Sequence, residues 1–383
     1  MKKNSIKLLT IALIFALVLS LTLVFTACND NNVAPQEPEY VPSIYDALKG
    51  ESDRVILFNG DGMGVNHVKV GETYFERTMF DGFDNTGLVN TSCKAMALAT
   101  DSAAAASAMA TGLKYDRGYV SYQGGKAHQT VAEYAKSLGK GVGIVTTDTL
   151  SGATPAGFSA HTVSRSRKAE IINCQLNSGI DVFLGAGLTT WEGDDVNYDM
   201  YRSQFEEKGY TFCDAYSELS LDSNKVIGSF SEVANYTPTD ATPTLKQLAD
   251  FAVDFLEKKY PNGYFLMIEG AHIDKTSSNK DMSGMLAYLD EFDNTVESVK
   301  GKISDKNNYS MIVTADHECG GLKYNGETKD QINDSLFTVT YHTKDDVSYY
   351  TDFKLKSASK FDFAKSIDNT DIFKICYALI SNK

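Results

Sequence analysis

The chain has 383 residues, with 36 basic against 50 acidic side chains and a formal net charge of −14. That balance, with no basic cluster to offset it, argues against nucleic acid as a partner, because Lys and Arg must neutralise phosphates for such binding. An acidic surface also repels anionic substrates at long range, so any attraction for them has to be local.

At the N-terminus Lys2, Lys3 and Lys7 precede an apolar run from Leu8 to Phe25 and then Thr26-Ala27-Cys28. Charge and length make 1–27 a signal peptide. Small residues before Cys28 resemble a lipoprotein cleavage box, which makes Cys28 the lipid attachment site, although Phe25 is not the commonest residue three places before that cysteine. The alternative is an uncleaved transmembrane anchor. The expected location is exported: the outer face of the cell membrane or the periplasm, held by the lipid. Residues 28–50, with Pro35, Pro38 and Pro42, read as a flexible tether. About 355 residues remain after processing, enough for one large α/β domain over 51–383.

Within that domain Val55–Phe58 is a short apolar run followed by Asn59-Gly60-Asp61-Gly62-Met63-Gly64, the pattern of a buried strand and a turn. Thr100-Asp101-Ser102 stands at the mouth of an alanine-rich helix ending near Thr111-Gly112. A helix N-terminus carries free N–H groups and partial positive charge, which favour a bound anion and a serine alkoxide. The bland reading of that segment, a plain N-cap on a plain helix, fits it equally well when it is taken alone. Helical periodicity follows at Gln129–Leu138, Arg165–Leu176, Thr244–Lys259, Met285–Val299 and Thr370–Ile380, and strands fit Gly141–Thr146 and Asp181–Leu184. Residues Trp191 to about Thr242, rich in Asp, Ser, Tyr and Asn, read as an insertion or a substrate-side excursion.

Three further apolar runs repeat the first design. Tyr264–Ile268 leads to Glu269-Gly270-Ala271-His272-Ile273-Asp274, Ser310–Val313 to Thr314-Ala315-Asp316-His317, and Phe337–Thr340 to Tyr341-His342. Strands alternating with helices predict a mainly parallel central sheet flanked by helices on both faces. Ligands in such sheets gather beyond the strands' carboxyl ends. Those ends here present Asp61, Glu269, Asp274, Asp316, His317 and His342. Four carboxylates brought together repel unless cations lie between them. The carboxylate and imidazole mix suits zinc, and the oxygen-only subset suits magnesium.

Taken in order, Gly60-Asp61-Gly62-Met63-Gly64, Asp101-Ser102-Ala103, Thr154-Pro155-Ala156, Ala160–Arg165, Glu269–Lys275 and Thr314–His317 resemble the bacterial alkaline phosphatase family from about Arg54 to the C-terminal helix. His342-Thr343 and Ile367–Asp371 match it more weakly. The resemblance implies a metal-dependent phosphomonoester hydrolase in which Ser102 forms a phosphoserine, Arg165 clamps the phosphate and Asp101 orients that arginine. It implies one Zn2+ on Asp61, Asp316 and His317, a second on Asp274 and His342, and Mg2+ on Asp61, Thr154 and Glu269. Lys275 would reach the phosphate through water. Phosphomonoesters and inorganic phosphate are the implied partners, with a homodimer one open assembly.

The chain also departs from the pattern. Ser278 stands where the family places a histidine for the second zinc, so that site is expected to be weak, since a neutral hydroxyl is a poor zinc ligand. Gly152 stands where relatives often carry an acid or histidine near the magnesium, which predicts a third site open to water. His272 reads as a surface or packing residue, His161 as structural, and His67 and His128 as surface residues. The five cysteines after Cys28 lack metal-binding spacing; they read as buried thiols, with a Cys174–Cys213 bridge as the alternative. Two other functions stay open: a related phosphodiesterase or sulfatase, against which Ser102 with Arg165 counts, and a low-turnover phosphate- or metal-binding lipoprotein, motivated by Ser278.

Overall fold

The computed structural model describes residues 43–187, 198–233 and 237–382. Its strands are β1 (Arg54–Gly60), β2 (Asn85–Asn90), β3 (Tyr122–Gln123), β4 (Lys126–Ala127), β5 (Gly141–Thr149), β6 (Val182–Ala186), β7 (Tyr210–Cys213), β8 (Lys225–Phe230), β9 (Tyr264–Gly270), β10 (Tyr309–Thr314), β11 (Val347–Lys354) and β12 (Ser366–Asp368). Ten of these form one sheet in the order β12-β2-β11-β10-β1-β9-β5-β6-β8-β7; β3 and β4 make a separate hairpin. Only the β10–β11 and β11–β2 pairs of the large sheet are antiparallel. The expected α/β architecture, a mainly parallel sheet in one large domain, is therefore present.

The helices are α1 (Val65–Phe75), α2 (Ser102–Thr111), α3 (Val131–Ser137), α4 (Ala153–Ser159), α5 (Lys168–Asn177), α6 (Tyr198–Glu207), α7 (Leu245–Lys259), α8 (His272–Ser278), α9 (Met282–Ile303) and α10 (Asn369–Ile380). They cover both faces of the sheet. Side chains alternate across a strand, so Phe58 and Gly270 turn one way, against Phe292 of α9. Phe265 turns the other way and stacks on Phe158 of α4. Glu269 lies on the Phe265 face, and Asn59 pairs with it in register. β1 and β9 are buried along nearly their whole length, which is why they read as continuous apolar runs rather than alternating ones.

Four expectations are corrected by packing. The domain begins earlier than residue 51: Ile44–Leu48 forms a short 3-10 helix capped by Ser43, with Tyr45 and Leu48 buried. Phe337–Thr340 is not a strand. Only Phe337 is buried, and the N–H groups of Thr338 and Val339 both donate to the Gly320 carbonyl, so the segment folds back as a loop. The stretch read as an insertion contributes α6, β7 and β8, the last two at the sheet edge; its residues 191–197 and 234–236 lie outside those described. The helix expected from Arg165 starts at Lys168, because Arg165 N donates to Gly118 O (2.8 Å) and holds that residue in a loop.

Cys93, Cys213, Cys319 and Cys376 are free and buried, so no Cys174–Cys213 bridge forms. His67 is fully buried rather than on the surface, with Nε2 3.0 Å from Ser277 Oγ. His128 is half-buried beside Tyr115. His272 packs at a tilt against the Tyr288 ring, as expected of a packing residue. The signal peptide, Cys28 and residues 28–42 lie outside the described residues. Among those described, no helix is long and apolar enough to cross a membrane.

Candidate active site

Parallel pairing of β10, β1, β9 and β5 brings their C-terminal ends to one edge of the sheet. Asp61 follows β1, Glu269 is next to last in β9, and Asp316 and His317 follow β10. Gly62 is required by the crowding there. Its φ is +75°, and a Cβ on it would lie 2.7 Å from the Asp274 Cα. Its N–H donates to Asp316 Oδ1 (3.2 Å).

Ser102 is the first residue of α2 and is 4 % exposed. Asp101 caps that helix, accepting from Ala104 N (3.1 Å), and also accepts from Gly118 N. The same carboxylate receives Arg165 Nη1 (3.2 Å), so one aspartate fixes both the nucleophile's helix and the guanidinium.

Three oxygens converge on one imidazole nitrogen. His317 Nε2 lies 3.2 Å from Ser102 Oγ, 3.3 Å from Asp316 Oδ2 and 3.4 Å from Asp61 Oδ1. Ligand atoms 2.0–2.1 Å from a tetrahedral zinc are themselves about 3.3 Å apart. The spacing therefore fits a cation at their centre, with Ser102 Oγ at its open corner. A second group, Asp274, His317 and His342, also has its ligand atoms within 4.8 Å of one another, and His342 Nε2 is 3.3 Å from Asp274 Oδ1. His342 Nδ1 faces Thr100 O at 3.1 Å; a proton donated there leaves Nε2 as the lone-pair atom. Asp61 Oδ1, Asp274 Oδ1 and Asp316 Oδ2 are buried without a conventional hydrogen-bond partner, as expected of atoms meant for a metal.

Charge in this pocket is poorly compensated by protein alone. Burial, then Asp316 and Asp274, push Asp61 well above the usual carboxylate range. Burial and Asp148 raise Glu269 to about 8, and burial and Asp274 raise Asp316 to about 6. Burial holds the His317 imidazole well below its ordinary value. Against the upward push of burial, His342 and His317 hold Asp274 well below. Cations would replace the protons this cluster otherwise needs.

Glu269 accepts from Thr146 Oγ1, and the buried Thr154 hydroxyl on α4 makes no hydrogen bond of ordinary geometry. Glu269 also adds to the upward push on the Asp61 carboxyl, so the two acids are electrostatic neighbours. Lys275 Nζ is bound to Asp148 Oδ1 at 2.6 Å. The place beside Gly152 is also filled, since a Cβ there would meet Asp148 Oδ2 at 2.7 Å. Sequence reading missed Asp148, because an acid four residues before the departure carries no motif. Ser278 is half-buried, and its hydroxyl donates to Lys275 O (2.9 Å). Asp281 caps α9 through Gly284 N (2.9 Å). Cys319, whose thiol borders Asp274, was read only as a packing thiol.

The sequence matches the alkaline phosphatase family over residues 53–371. It is 31% identical to alkaline phosphatase 4 of Bacillus subtilis over 303 residues, covering 73% of this chain and 64% of that relative's length. With alkaline phosphatase of Escherichia coli the identity is 27%, covering 86% of each. The fold superposes on the alkaline phosphatase of the Antarctic bacterium TAB5 with a TM-score of 0.73 at 24% identity, covering 86% of this chain and 98% of that one. A variant of that TAB5 enzyme is described with Mg bound in its M3 site.

Proposed function

The chain belongs to the alkaline phosphatase family, and from that premise we propose that it is a phosphomonoester hydrolase working through a phosphoserine on Ser102. The observation that carries this reading is the convergence of Ser102 Oγ, Asp61 Oδ1 and Asp316 Oδ2 within 3.4 Å of His317 Nε2, beside an arginine held by Asp101.

In the first half-reaction Ser102 Oγ attacks phosphorus, the phosphorus–oxygen ester bond breaks, and the alcohol leaves with a proton as the serine loses its own. In the second, water attacks the phosphoserine, inorganic phosphate leaves, and the hydroxyl regains its proton. Asp61, Asp316 and His317 would hold one Zn2+, Asp274 and His342 a second, and Asp61, Thr154 and Glu269 Mg2+. Bound there, the ions would supply positive charge beside the attacking and leaving oxygens and acidify water. Arg165 would clamp two phosphate oxygens with its fork, oriented by Asp101. The N-terminus of α2 adds its partial positive charge to the same oxygens. Positioning and charge neutralisation are most of what phosphoryl transfer needs.

Location and anchoring are part of the same reading. The Lys2-Lys3-Lys7 start, the apolar run and Cys28 support export and a lipid tether, so the substrates would be phosphomonoesters outside the cytoplasm.

The test is trapping of phosphate on the protein. Wild-type protein incubated with a labelled phosphomonoester and quenched in acid should carry label on Ser102. Ser102→Ala should carry none and lose several orders of magnitude in kcat. Full turnover in that variant would overturn the mechanism. Trapped phosphoserine that fails to turn over at saturating zinc would favour the low-turnover reading, for which Ser278 in place of a histidine is the motive.

A further inference from the structure

Asp148, next to last in β5, takes no part in the chemistry described above, yet it touches the residues proposed for the third metal position from two sides. Its N–H donates to Thr146 Oγ1 (2.8 Å), and that hydroxyl donates to Glu269. Its Oδ2 rests in the space Gly152 leaves, at the start of α4, two residues before Thr154. Gly152 has φ −56°, so a backbone that needs glycine is not the reason for the residue; the room is. Beneath this group, Asn59 is 0 % exposed, pairs in register with Glu269, and has neither its carbonyl oxygen nor its amide nitrogen hydrogen-bonded within the described residues. Buried amides are ordinarily satisfied. An orphaned one beside a buried carboxylate marks a place where solvent or a hydrated ion belongs.

We propose that Asp148 is a positioning residue of the magnesium position, its carboxylate accepting hydrogen bonds from the water shell of an ion held by Asp61, Thr154 and Glu269. The inference rests on the phosphatase reading for the identity of that position. Magnesium keeps several of its waters when bound, and an acid one water away both orients them and adds attraction for the dication. The side chain is about one quarter exposed and reachable by such waters. Lys275, held by the other oxygen of the same carboxylate, places an ammonium at the rim. The acid therefore attracts the ion while the lysine repels it.

The bland alternative makes the Asp148–Lys275 pair a structural tie between β5 and α8. The two accounts predict opposite signs. Zinc-loaded full-length protein is titrated calorimetrically with magnesium chloride, in the wild type, Asp148→Asn and Lys275→Met. Asp148→Asn should weaken magnesium binding by about 10–100-fold, with zinc content and the melting midpoint without magnesium unchanged. Lys275→Met should bind magnesium as tightly as wild type or more tightly. Unaltered magnesium affinity in Asp148→Asn, or equal losses in both variants, would overturn the proposal. Phosphate trapping on Ser102 reads the phosphatase assignment separately, so a protein that never forms phosphoserine but shows this magnesium pattern would lose that assignment alone.

Discussion

The imidazoles of His317 and His342 stack with centroids 3.7 Å apart and planes 23° from parallel, yet their Nε2 atoms turn to different acids. His317 approaches Asp61 and Asp316, and His342 approaches Asp274. The two proposed zinc positions thus share a wall but not their carboxylates. A defect on one side can leave the other intact.

Ser278 tests that separation. It lies four residues after Asp274, on the same side of α8, and its hydroxyl is bonded to Lys275 O. Two zinc equivalents should bind with unequal affinity, and activity should rise with added zinc. Ser278→His should tighten the weaker equivalent by at least about tenfold, the scale set even by partners of metal ligands. Two equally tight equivalents in the wild type, measured by competition with a chelator, would show that another residue completes the second site.

Arg165→Ala should raise the inhibition constant for inorganic phosphate about 10–100-fold, because a hydrogen bond to a charged group is worth roughly 1.5–3 kcal/mol. Arg165→Lys should fall between, since an ammonium lacks the fork. The loss of turnover should be smaller than for Ser102→Ala. An inhibition constant that does not move would remove Arg165 from the phosphate site.

His161 and Glu133 supply a pH-dependent tie away from the chemistry. His161 Nε2 is 2.8 Å from Glu133 Oε1, and its Nδ1 is 2.9 Å from Ser121 O. Burial opposes charge on both, but Glu133 raises His161 above its ordinary value and His161 lowers Glu133 below its own. The contribution of His161 is complete below the unfolded value of about 6.5 and fades as pH rises through the raised folded one. That of Glu133 is complete above about 4.3 and fades as pH falls through the lowered one. The difference in melting midpoint between wild type and Glu133→Gln should peak between these values and shrink at alkaline pH. A gap as wide at pH ~9 as at pH ~5.5 would refute the ion pair.

Cys28 should carry lipid in cells fed a labelled fatty acid, and Cys28→Ser should release soluble protein or leave an uncleaved precursor. Wild-type protein without label would end the lipoprotein reading.

The amino-acid order alone determined the central strands β1, β5, β6, β9 and β10, the helix of Ser102, the family, and the acids and imidazoles that gather in the two clusters. Those features are local: an apolar run ending in an acid, or a capping aspartate beside a serine, is complete within about a dozen residues. Tertiary structure alone decided the rest. Phe337–Thr340 has strand-like residues, but the Gly320 carbonyl takes its N–H groups. The supposed insertion became two edge strands, because β6 offered β8 a free edge and β8 offered one to β7. Asp148 fills the room beside Gly152 and captures Lys275, a relation among three segments 148, 152 and 275 that no spacing encodes. Which acid compensates a missing side chain depends on what the folded chain brings within hydrogen-bond reach.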